Sequence, residues 1–245
     1  MTLVLLHGGG TTARFWDRLL PYVDRPAIAV DLPGRADRPA DLATLSVDDE
    51  VASVVSDVER AQLDDPLTLV AHSSGGLVVP GVVAALGPRV GAIVLNAALV
   101  PPEDGCGVEC MKPRHRDGLV AAVEAADREG TAITLPGVPG DLDAVRTAYG
   151  GDPLDDETVA YVADPLRYVE DTVHHYFQPV RWSGVAGIPI TYVLNERDRP
   201  VPPDIQEVMA ARLPPPTTVI RVDSGHLLPV TAPAAFAELV ERAAA

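Results

Sequence analysis

Six short apolar runs, each closed by turn residues, constrain this chain more than any other feature. They are TLVLLHGG, AIAVDLPG, LTLVAHSS, GAIVLNAA, IPITYVLNE and TTVIRVDSG. Near-continuous hydrophobicity over about five residues marks strands buried on both faces, as in a parallel sheet. Amphipathic stretches of helical length lie between them. In SVDDEVASVVSDVERAQL, Ser46 is placed to cap a helix and Asp48, Asp49 and Glu50 fall in its positive first turn. Strand and helix alternate, so the class is α/β, with a mostly parallel sheet of at least six strands flanked by helices.

From Pro101 to about Trp182 the rhythm changes. RDGLVAAVEAADREG, DLDAVRTAYG, DDETVAYVA and PLRYVEDTVHHYF all read as helical, with no convincing strand among them. The pattern predicts a helical cap, residues 101–182, inserted into a core made of residues 1–100 and 183–245. Gly150, Gly151 and Pro153 would divide the cap into halves. A chain of 245 residues is long enough for one such core with an insertion.

Charge excludes some partners. Nineteen Lys and Arg against 35 Asp and Glu leave a formal net charge of −16, a field that repels nucleic acid and anionic lipid but says little about small neutral substrates. Cys106 and Cys110 are the only cysteines and cannot alone supply a four-ligand zinc site, so they read as free thiols; a local disulfide pinning a loop is the alternative. No metal or organic cofactor is suggested. MTLVLLHGGG lacks a basic leader region and the chain has no membrane-length apolar run, which points to the cytoplasm. No heptad pattern speaks to oligomeric state.

The chemistry collects where the runs end. In VAHSSGG, Ser73 falls on a tight turn between a strand and the helix read in GGLVVPGVVAAL, with small Ala71 two residues before it and Gly75 two after. A nucleophile elbow needs this spacing, because its serine sits in strained backbone that leaves no room for bulk at either position. A serine that merely caps the helix is the simpler reading. Choosing Ser74 instead would put His72 where a small residue is required. Ser74 is then an oxyanion donor through its backbone N–H, and the glycines of HGGG let a loop aim a second donor, that of Gly9, at the same point. HGGGTTARFW matches neither a dinucleotide fingerprint nor a Walker loop. His7 reads as a loop-fixing residue.

Two further runs end in NERDRPVPP and DSGHLLPVTAP, which put Asp198 and His226 past later strands. In a parallel sheet the loops following the strands share one edge, so Ser73, Asp198 and His226 can meet. Their chain order, Ser then Asp then His, is that of the α/β-hydrolase triad. Glu196 is a competitor for the acid.

LVLLHGGG, AVDLPG, VAHSSGG, NERDRPVPP and DSGHLLPVTAPAAFAELV, in this order, resemble the α/β-hydrolase superfamily over nearly the whole sheet domain. IVLNAALVPPEDG and the closing segment resemble its branch of small methylesterases, carboxylesterases and hydroxynitrile lyases. The resemblance implies the α/β-hydrolase fold and a serine hydrolase acting on a small to medium ester or lactone. His226 would serve as the base for Ser73, and Asp198 would orient His226. It also leaves open a lyase or other tailoring enzyme on the same triad, with Lys112, the chain's one lysine, as the candidate to hold the leaving group unless it is simply a solvated surface residue, or a small-molecule receptor. Gly8, His72, His175, Tyr176 and Trp182 are candidate substrate contacts, although His174 and His175 also suit a packed helix face and His72 a place beneath the elbow. Two departures stand out. DLPGRADRP replaces the family's D-x-P-G-H-G-x-S, and Pro80 should kink the helix after Ser73 near Gly76.

Overall fold

The computed structural model describes residues 1–63, 66–137 and 142–245. All six apolar runs form strands: β1 (Thr2–Leu6), β2 (Ala27–Val30), β3 (Leu67–His72), β4 (Val90–Asn96), β5 (Ile190–Asn195) and β6 (Thr217–Val222). They make one parallel sheet in the order β6-β5-β4-β3-β1-β2. Alternate side chains enter separate cores. Leu3, Leu5, Val70, Val94 and Val193 pack on one face with Trp16 and Phe236, while Val4, Leu6, Leu69, Ile93, Leu95 and Leu194 pack on the other.

The order reverses between β1 and β3, which makes their carboxyl ends the natural crevice for a ligand. Register sharpens this. Leu6 stands beside Ala71 and His72 beside Asn96, so the loops carrying the glycines and Ser73 leave the sheet at the same level.

Helix α1 (Val47–Arg60) has the expected cap, extended to a full capping box in which Ser46 and Asp49 bond each other's backbone N–H. Pro80 acts differently from the expected kink. A 3-10 turn over Ser73–Leu77 ends first, and helix α2 (Val79–Leu86) begins afresh with Pro80 in its first turn, where a missing N–H removes no hydrogen bond.

Between β4 and β5 lie α3 (Pro113–Glu129), α4 (Leu142–Ala148) and α5 (Asp156–Val162). The same stretch contains two short antiparallel ribbons, Gly105–Cys106 with Pro179–Val180 and Thr134–Leu135 with Asp171–Thr172. PLRYVEDTVHHYF is therefore not one helix: Asp171–Thr172 is extended and His174–Phe177 is a single 3-10 turn. Polar contacts from distant residues override the local pattern. Asp171 receives Gly10 N–H at 2.7 Å, and the Thr172 hydroxyl donates to Leu42 O at 2.7 Å. After β5 come α6 (Pro203–Ala210) and, last, α7 (Pro233–Ala243). Both cysteines are free thiols, and burial pushes that of Cys110 up to about 12.

Candidate active site

Ser73 directly follows β3 and adopts φ +51°, a left-handed conformation that costs a residue with a Cβ of order 1–3 kcal/mol. The surrounding small residues permit it. A Cβ on Gly75 would lie 2.5 Å from His7 O, and one on Gly8 would lie 2.9 Å from Ser73 Cβ. The turn thus sits backbone against backbone on the exit of β1. Leu99 N–H donates to Ser73 O at 2.8 Å, anchoring the turn to the segment after β4.

His226 and Asp198 come together from the loops after β6 and β5. His226 Nδ1 lies 2.7 Å from Asp198 Oδ2, and Asp198 Oδ1 accepts Val201 N–H at 2.8 Å. Both side chains are almost wholly buried. An ionised carboxylate can only accept, so the Nδ1 bond fixes the proton there and leaves Nε2 as the free base. Glu196, the competing acid, pairs instead with Arg221 at 2.8 Å on the surface.

The glycine loop is held by the stretch between β4 and β5. Gly10 N–H goes to Asp171, Thr12 N–H to Arg167 O at 3.0 Å, and Val169 N–H to Gly10 O at 2.7 Å. Gly9 N–H has no partner among the described residues. Ser74 N–H lies in the first turn of its 3-10 helix, where intrahelical acceptors are lacking. The two residues are close: a Cβ on Gly9 would lie 3.1 Å from Ser74 Oγ and 2.5 Å from Tyr176 Oη.

Buried charge underlies this loop. Arg35, from the departing DLPGRADRP motif, forms a fully buried ion pair with Asp171. His175 Nδ1 bonds buried Glu50 at 3.0 Å. Burial alone disfavours its charged form, but Glu50 outweighs this and raises its pKa. His7 is wholly buried, bonded to Gly8 O at 2.9 Å and accepting Leu32 N–H at 3.2 Å. Desolvation, then the Arg35 charge, lowers its pKa to about 3.

A testable pH dependence follows from His7. An unfolded histidine titrates near 6.5, so the stability conferred by neutral His7 is complete above that pH. It falls by about 1.4 kcal/mol per unit as pH drops from there toward the folded value. His72, depressed by burial and by His226, acts in the same sense. His175 acts oppositely: its contribution is full below 6.5 and fades as pH rises through its raised pKa. The expected result is a urea midpoint that drops between pH 6.5 and 5 in the wild type and drops less steeply in His7→Gln; equal slopes would contradict it.

Ser73 borders two cavities. One, of about 30 Å³, is lined by Gly9, Phe15, His72, Tyr161, Tyr168 and His226; the other, of about 350 Å³, by Leu99, Met111, Lys112, His115, Tyr176 and Val201, while Tyr149 faces both. The His72 ring stacks on Phe15 with centroids 4.7 Å apart and lies 4.5 Å from that of His226.

Among the predicted contacts, Gly8, His72 and Tyr176 line these cavities, whereas His175 turns to Glu50 and Trp182 is buried in the core on the α2 side. Lys112 lines the larger cavity and donates to Arg199 O at 2.9 Å. Sequence reasoning did not pick out Asp171, nor Phe15, Tyr149, Tyr161 and Tyr168 of the cavity linings. Arg35 did carry a signal, since it stands where the motif departs from its usual form. Among the described residues, no group of three or more His, Cys, Asp and Glu is arranged to hold a metal, and no helix is long and apolar enough to cross a membrane.

Residues 3–239 match the model of an alpha/beta hydrolase family. No curated protein matches by sequence. Solved structures do. An extracellular alpha/beta-hydrolase from a Paenibacillus species, described as sharing structural and functional homology with tobacco salicylic acid binding protein 2, superposes with a TM-score of 0.80 at 18% identity, covering 99% of this chain and 98% of that one. A pyrethroid hydrolase from Sphingobium faniae gives 0.76 at 16%, covering 99% and 96%. The methylesterase MES16 from Arabidopsis gives 0.72 at 19%, covering 100% and 98%. At such identities the superpositions speak for the fold alone. With the family model spanning almost the entire sheet and everything between its strands, the chain belongs to the alpha/beta hydrolase family.

Proposed function

We propose that this chain is a serine hydrolase that cleaves a small to medium carboxylic ester or lactone through an acyl-enzyme. One observation carries the reading: Ser73, in left-handed backbone at a strand-to-helix turn, shares a cavity with His226, whose other ring nitrogen is bonded to Asp198. His226 Nε2 takes the Ser73 proton as Oγ attacks the acyl carbon, and Gly9 and Ser74 N–H groups donate to the oxyanion. Collapse expels the alcohol with the proton from His226. Water then attacks the acyl-enzyme, His226 accepts its proton, and the acid leaves with Ser73 restored. Ser73 Oγ holds no hydrogen bond among the described residues, so it is free to turn toward Nε2 once substrate binds.

The cavities suggest which side holds which group. A leaving alcohol must lie beside the acid that protonates it, so the smaller cavity, the one His226 lines, takes the alcohol; the larger takes the acyl chain. Residues 101–182 act as the cap above both. Unpaired thiols at Cys106 and Cys110 suit the reducing cytoplasm.

A fluorophosphonate should test the nucleophile: the Ser73 oxygen displaces fluoride, adding one phosphonyl group that peptide mass spectrometry locates at Ser73. Under the same conditions the enzyme should hydrolyse methyl esters. With the acyl group fixed, extending the alcohol from methyl to butyl should lower kcat/KM by at least about tenfold. No label at Ser73 and no turnover of any ester would overturn the reading in favour of a lyase or receptor.

A further inference from the structure

We propose that Asp152, on the stretch between α4 and α5, is a positioning residue that ties this part of the chain to the loop carrying His226. The inference rests on the serine hydrolase reading and adds to it a residue outside the triad. Asp152 is 9% exposed and comes from the turn between two helices, far in sequence from the loop it meets. Its Oδ2 accepts Leu227 N–H at 3.1 Å and its Oδ1 accepts the Thr231 hydroxyl at 3.3 Å, bracketing the turn that follows His226.

Close backbone packing surrounds these bonds. A Cβ on Gly225 would lie 2.3 Å from Asp152 Oδ2 and 2.7 Å from the Gly151 carbonyl carbon, and one on Gly151 would lie 1.7 Å from Arg197 O. Gly151 and Asp152 therefore touch both loops, the one bearing His226 and the one bearing Asp198, where no larger residue fits. Asp152 N–H closes a turn onto Tyr149 O at 3.0 Å, and the Tyr149 ring stacks beside His226 with centroids 6.1 Å apart and planes 15° from parallel. From Tyr149 to Asp152 the chain holds the imidazole on one face and its backbone from behind.

The groups facing His226 are Asp198 from the loop after β5, His72 from β3, Tyr149, and the Asp152 carboxylate. The Asp152 carboxylate in turn faces His226 and Asp198, and burial raises its pKa. Two variants separate its geometry from its charge. Asn can keep both contacts, accepting Leu227 N–H through its oxygen and donating to the Thr231 hydroxyl through its nitrogen. Ala keeps neither.

Asp152→Ala is expected to lose kcat by about 10- to 100-fold with little change in KM, the scale of effect that follows a small misplacement of a catalytic group. Asp152→Asn should restore kcat to within about threefold, because it keeps both contacts with the turn after His226. Melting temperatures are measured alongside. An Ala variant within about twofold of wild type would overturn the proposal, as would Ala and Asn variants impaired equally and in step with lost stability. Should the wild type hydrolyse no ester, it is the functional reading that fails, and the His226 ring signals in NMR spectra still decide this one without substrate. A ring environment displaced in the Ala variant and kept in the Asn variant supports positioning; identical signals in all three proteins refute it.

Discussion

Ser73→Ala is expected to lower kcat by about 10⁴- to 10⁶-fold with KM nearly unchanged, since in the proposed mechanism it removes the nucleophile of the covalent step but not the binding site. Stability should change little, because alanine keeps the Cβ and therefore the same backbone demand at φ +51°. His226→Ala should fall in the same range, and the double variant should be hardly worse than either single one. Residues acting as a unit fail as a unit. Steady-state kinetics on a methyl ester, with circular dichroism to confirm folding, reads both effects. Comparable turnover by Ser73→Ala and wild type would mean that another group attacks the substrate.

Asp171→Ala is the change expected to cost most stability. It would strand the Arg35 guanidinium, which is fully buried, without its counter-ion, and removing one partner of a buried pair costs about 3–5 kcal/mol. It would also remove the acceptor of Gly10 N–H and loosen the loop that carries Gly9. Activity should therefore fall even at temperatures where the variant stays folded. The double variant Arg35→Met with Asp171→Leu separates the two effects: apolar replacement of both charges should return most of the stability while Gly10 stays unanchored and kcat stays low. Urea denaturation and steady-state kinetics on the three proteins test this. Full activity in the double variant would show that the carboxylate does not hold the loop.

Much of this was legible in the chain itself. The six strands could be found because burial on both faces writes a continuous apolar run, and α1 because Ser46 and the acids after it meet the needs of a helix start. The tight turn at Ser73 was legible because small residues stand on either side of it, at 71 and 75. Asp198 and His226 could be located from the ends of later strands, since a parallel sheet brings those ends to one edge. Other assignments were not available locally. His175 looks like one of a pair on a helix face, yet its ring meets Glu50, 125 residues away; Trp182 looks like a pocket aromatic but fills the core. Pro80 carried a correct warning, but the sequence alone did not show that the chain would answer it by restarting the helix.

By itself, then, the sequence determined the elements, their alternation and the types of residue at the strand ends, because hydrophobic period, helix caps and glycine requirements all act over a few neighbours. Only the tertiary structure decided which polar groups pair. Arg35 finds Asp171 across 136 residues and Asp152 finds Leu227 across 75. A buried charge or carboxylate must have a partner, but the requirement is the same for any partner that packing brings within reach, so its identity is settled only when the sheet and the helices between its strands close on one another.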